Sequence, residues 1–111
     1  VCFLMADVWG ALGQSLPTAT TLTGAYTVPS AKHATVEVFI CNRGAAAVVR
    51  LSHAISGAAD TGAQYLLYDY ALAVGESKTT ARFTMRTTDV LRVYSDTGAV
   101  AFNVNGIEED N

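Results

Sequence analysis

The chain has 111 residues, half of them hydrophobic and 15% charged, with a net charge of −3. That length supports one domain that buries roughly 60–70% of its unfolded surface. Glu108, Glu109 and Asp110 carry the whole charge imbalance, since the other seven acids face seven bases; a neutral body gives no basic face for nucleic acid.

No apolar run approaches the roughly 20 residues of a transmembrane helix, and Val1–Ala6 is too short and lacks the basic flank of a secretory signal. Cys2 and Cys41 are far apart and read as two free thiols of a reducing cytoplasm. The chain reads naturally from Met5-Ala6-Asp7, so Val1–Leu4 is expected to belong to an upstream start. The high apolar content points to surface buried against partners.

In chain order, Ala6–Ser15 places Val8, Trp9 and Leu12 among Gly10 and Gly13, too glycine-rich for a helix. It reads as an arm anchored by Trp9, which packs either on its own domain or on a neighbouring subunit. Leu22–Val28 is the first strand, with Gly24 as a bulge position. Ala34–Asn42 alternates Val36, Val38 and Ile40 against Thr35, Glu37, Phe39 and Cys41, and Ala46–His53 alternates Val49 and Leu51 against Val48, Arg50 and Ser52. Asn42-Arg43-Gly44 between them predicts a tight hairpin. Ser56–Ala63 is a surface loop of small residues.

Gln64–Tyr70 is the next strand, with Tyr65, Leu67 and Asp69 alternating against Leu66, Tyr68 and Tyr70. Thr79–Met85 returns with Ala81, Phe83 and Met85 on one face. Asp89–Ser95 sets Leu91 and Val93 against Val90, Arg92 and Tyr94. Asp96-Thr97-Gly98 predicts a second hairpin, and Ala99–Asn105 ends the pattern with Val100, Phe102 and Val104 toward the core. About seven strands with short turns and no long helix define an all-β fold, an antiparallel β-sandwich or small barrel with a short N-terminal arm. The division is arm 1–17, β-sandwich domain 18–107 and acidic C-terminal tail 108–111.

No catalytic constellation emerges. His33 and His53 have only Cys41 as a third ligand type, short of a converging metal set. Asp60, Asp69, Asp89 and Asp96 occupy turn and strand-end positions, where Asp serves the turn. Ser52 and His53 are adjacent in a strand and face opposite ways, so they form no nucleophile–base pair. Phosphate-loop and dinucleotide glycine patterns are absent. The expectation is a protein without catalytic residues, metal or cofactor. Tyr65, Tyr68 and Tyr70, together with outward Arg50, Arg82 and Arg92, are either ordinary strand composition or an interface strip.

The run Ala25-Tyr26-Thr27-Val28-Pro29, then Ile40-Cys41-Asn42-Arg43-Gly44, Val49-Arg50-Leu51-Ser52, Val90-Leu91-Arg92-Val93-Tyr94-Ser95 and Phe102-Asn103-Val104-Asn105-Gly106-Ile107-Glu108 resembles small structural proteins of tailed bacteriophages. The opening Met5-Ala6-Asp7-Val8-Trp9-Gly10 is similar to theirs too. The resemblance implies a virion component, assembled in the bacterial host cytoplasm, without enzymatic activity. It implies a capsid decoration (cement) protein over the major capsid protein lattice, commonly a homo-trimer, with a tail, baseplate or fibre-associated domain and a glycan- or receptor-binding module as alternatives. Its expected partners are the major capsid protein or other virion proteins, with no nucleic acid and no membrane. The expected contact residues are Trp9, Leu12, Tyr65, Tyr68, Tyr70, Arg50 and Arg92.

Overall fold

A computed structural model describes residues 7–111; Cys2 and Val1–Leu4 lie outside the described residues. Nine strands follow in order: β1 (Val8–Ser15), β2 (Thr23–Thr27), β3 (Lys32–Asn42), β4 (Ala47–Ala54), β5 (Tyr65–Leu72), β6 (Ser77–Thr79), β7 (Phe83–Met85), β8 (Val90–Ser95) and β9 (Val100–Asp110). All pairings are antiparallel. One sheet runs β1-β9-β3, with β6 and β7 both on the far edge of β3, and the other runs β2-β8-β4-β5. Counted as one interrupted strand, β6 and β7 make this the eight-position order of a jelly roll, the double Greek key of antiparallel sandwiches.

The core is what the alternation requires. Val36, Val38 and Ile40 from β3 and Val100, Phe102 and Val104 from β9 meet Val49 and Leu51 from β4 and Leu91 and Val93 from β8, all buried. Every second residue of β3, of β8 and of β9 as far as Val104 faces inward because the pleat has a period of two. In β4 the alternation breaks, and Ser52, expected opposite Leu51, is buried as well, where the β4–β5 register shifts.

The count of nine, against about seven expected, has two sources. Val8–Ser15, read as an arm, pairs along β9 as an edge strand. Thr79–Met85 splits into β6 and β7, which both pair with β3 on either side of residues 80–82. At the other end, Glu108–Asp110 continue β9 instead of trailing from it.

Both expected hairpins are corrected. β3 lies in one sheet and β4 in the other, so Asn42-Arg43-Gly44 carries the chain across the sandwich. Asn42 is buried and pins this corner: its side-chain amide donates to the carbonyls of Ala45 (2.9 Å) and Ala73 (3.0 Å), and its side-chain oxygen accepts from the Gly44 amide. Asp96-Thr97-Gly98 likewise links β8 to β9 in the opposite sheet. Only β4–β5 and β6–β7 are consecutive strands that share a sheet.

Candidate interaction surface

The outer face of the second sheet is built around Arg50. In β4, Val49 and Leu51 point to the core, so Arg50 points away from it. The β4–β8 register sets Tyr94 directly opposite. On the other side β5 is bulged: two steps from Val49 to Leu51 match three from Tyr70 back to Leu67. The extra residue is taken up at Asp69, which adopts φ 50°, a region Asp tolerates.

That bulge changes the phase of β5. Tyr68 and Asp69 both stand exposed while Leu67 and Tyr70 pack against the core. The Asp69 carboxylate accepts from Arg50 Nε at 2.6 Å. Arg50 Cζ then lies 4.3 Å from the Tyr68 ring centre and 4.5 Å from that of Tyr94, so the guanidinium is clasped between two aromatic faces. Asp69 also raises the Arg50 pKa above its ordinary value, mainly through that hydrogen bond. Tyr65 meets Tyr68 edge-on, ring centres 5.0 Å apart at 87°. Its hydroxyl donates to Asp60 at 3.1 Å. Burial and then this hydrogen bond raise the Tyr65 pKa. Arg92, one row away, donates to the Gly57 carbonyl at 3.2 Å.

Magnitudes separate what this cluster does for folding from what it offers a partner. An exposed cation–π contact contributes about 0.5–1 kcal/mol and a surface ion pair about 0–1. Neither holds a core of this size together. What they do is fix one arginine and three tyrosines in place, and these residue types anchor protein interfaces when held rigid. Tyr68 is 59% exposed, and Leu66, two residues before it, is exposed as well.

Of the residues singled out from sequence, the fold brings Tyr65, Tyr68, Arg50 and Arg92 onto this face. Tyr70 and Leu12 are turned inward instead and pack on the core. For Tyr70 the cause is the Asp69 bulge. Trp9 belongs to the other sheet, on edge strand β1. Tyr94 and Asp69 were missed as contact residues: alternation placed Tyr94 outward, but only the β4–β8 register shows that it faces Arg50.

A second polar cluster ties the end of the sandwich. Asp89 is 3% exposed and accepts from the backbone amides of Ser56 and Arg86, each at 2.9 Å, and lies 2.7 Å from His53 Nε2. Burial pushes its carboxyl up, but the Ser56 amide, His53 and the Arg86 amide together hold it below the usual value. The Ser52 hydroxyl, next to His53 in the chain, donates to Gln64 Oε1. Among the described residues no group of three or more His, Cys, Asp or Glu side chains converges for a metal.

The class defined by this topology is the jelly-roll sandwich, which occurs in viral capsid domains, lectin domains and cupins alike and fixes no function by itself. Comparison with family models, curated proteins and solved structures found no match to this chain.

Proposed function

We propose that this chain is a non-enzymatic virion structural protein of a tailed bacteriophage, a capsid decoration protein that seats the outer face of its β2-β8-β4-β5 sheet on the major capsid protein lattice. The observation that carries the attachment surface is the clasped Arg50: a planar cation already ordered between Tyr68 and Tyr94 and oriented by Asp69. A side chain ordered before binding loses less conformational freedom on docking. The phage assignment rests on the sequence resemblance, and the jelly-roll order is compatible with it. Bound in many copies across subunit junctions, such a domain stabilises the assembled shell by mass action, because it binds that state and not the free subunits.

The test is rebinding. Expanded capsids stripped of this protein are mixed with purified chain and sedimented. Wild-type protein is expected to saturate at a fixed ratio to capsid subunits with little dependence on salt. Tyr68→Ala and Arg50→Ala are each expected to weaken binding about 30-fold, the size of a hot-spot loss near 2 kcal/mol. Wild-type protein that stays in the supernatant would overturn the proposal.

A further inference from the structure

A hollow lies on the opposite side of the sandwich, outside the first sheet. Register puts Trp9, Ile107 and Thr35 in one cross-strand row and Asn105 and Glu37 in the next. Arg82 closes the hollow from the break between β6 and β7, and the backbone of the paired Gly10 and Gly106 forms part of its lining. Its volume is about 220 Å³, below the range of drug-sized ligand pockets and suited to a single small ring.

Two features set this hollow apart from ordinary surface. Trp9 is the only tryptophan of the chain, and it is 76% exposed. The polar side chains around it are uncommitted: among the described residues, those of Thr35, Glu37, Arg82 and Asn105 make no hydrogen bond or ion pair. An acceptor-only carboxylate, a donor-only guanidinium and an amide that does both therefore converge beside an open indole. None of these side chains bonds another of the described residues.

A sugar ring matches that combination. One of its faces is a sheet of C–H groups that stacks on an aromatic ring, and its rim carries hydroxyls that both donate and accept. The indole supplies the platform, and the flanking groups supply donors and acceptors in different directions. Glu37 and Arg82 cancel in charge, so a neutral unit is favoured over a polyanionic one. We propose that this hollow binds a neutral hexose or N-acetylhexosamine unit, stacked on Trp9 and held at its hydroxyls by Glu37, Arg82 and Asn105. The site is independent of the capsid reading, because it uses the opposite face from Arg50.

Trp9 is itself the probe, since no other tryptophan contributes to the emission. The protein is titrated with tetrasaccharides of β-1,4-N-acetylglucosamine, α-1,4-glucose, α-mannose and α-galactose. A saturable change in emission is expected with at least one of them, at a Kd on the order of 0.1–10 mM. Arg82→Ala and Asn105→Ala are expected to weaken it about tenfold or more with the thermal midpoint unchanged. In Trp9→Ala, saturation-transfer NMR of the same sugar is expected to lose its signal. Three results would overturn the proposal: no saturable change with any of the four up to about 20 mM, binding that survives in Trp9→Ala, or emission that shifts with protein concentration alone, which would mean that a second copy covers the indole.

Discussion

The Tyr26 hydroxyl donates to the Glu108 carboxylate across the interior, joining β2 in one sheet to β9 in the other. Both residues are 8% exposed. Burial first, then the bond to Glu108 and the charge on it, push the Tyr26 phenol well above its ordinary pKa of 10.0. The bond spans 82 residues of sequence.

Tyr26→Phe leaves Glu108 buried without its donor and is expected to cost about 1–3 kcal/mol in chemical denaturation. The same bond sets an alkaline limit. A folded-state pKa above the unfolded one means that the stabilisation is complete below the unfolded value of 10.0 and is lost as pH rises beyond it. The wild type is therefore expected to lose stability above pH 10 more steeply than Tyr26→Phe. Equal slopes would show that Tyr26 is not the group responsible.

Asp89 sets the corresponding acid limit. Its folded pKa lies below the ordinary carboxyl value of 3.8, so its contribution is complete above that value and is lost as pH falls through the folded one. Asp89→Ala strands two backbone amides and the His53 ring, and is expected to cost about 3 kcal/mol. Asp89→Asn keeps one acceptor oxygen and is expected to cost less. Unfolding followed from pH 7 to pH 2 checks both: the wild-type curve falls below about pH 4 and the Asp89→Asn curve is flatter there. Coincident curves would contradict the assignment.

Gly106 admits no side chain. It faces Val36 in the β3–β9 ladder, and a Cβ there would lie 2.0 Å from the Thr35 carbonyl oxygen and 2.8 Å from Val36 Cα. Both are backbone atoms of the central pair of strands and cannot step aside. Gly106→Ala is expected to cost at least about 3 kcal/mol or to prevent folding. Gly62→Ala, where a Cβ meets nothing within 4 Å, serves as the control and is expected to remain within about 0.5 kcal/mol of wild type.

Arg50 separates binding from stability. Arg50→Ala removes two exposed cation–π contacts and one surface ion pair, all screened by solvent, so its thermal midpoint is expected to change little while capsid attachment falls about 30-fold. Arg50→Lys keeps the charge but not the planar group that lies between Tyr68 and Tyr94, and it is expected to bind nearly as poorly as alanine. Full binding by Arg50→Lys would show that charge alone carries the contact.

The inward faces of β3, β4, β8 and β9 were legible in the sequence, because alternation with a period of two is a local property and Val36, Phe102 and Leu91 obey it. The connections were not. Asn42-Arg43-Gly44 has the composition of a hairpin turn, yet turn residues do not record whether the next strand stays in the same sheet. Here β3 pairs along its whole length with β9, some 60 residues further on, and on its other edge with β6 and β7. Strand β1 was hidden because Gly10 and Gly13 have poor strand propensity, and the segment is held by pairing with β9. The tyrosine strand was half legible: the tyrosines were found, but a bulge at Asp69 leaves no periodic trace and puts Tyr68 and Tyr70, which alternation places on one face, on opposite faces. The Trp9 hollow draws on residues 9, 35, 37, 82 and 105, which only the register brings together.

Attachment in many copies to a capsid lattice is the proposed role, and copy number tests it most directly. Purified virions are digested and this chain is quantified by mass spectrometry against the major capsid protein. A ratio near one copy per capsid subunit is expected. A ratio of a few per hundred would contradict the claim, place the chain at the tail, and make the Arg50–Tyr68–Tyr94 face a contact with tail or fibre proteins instead.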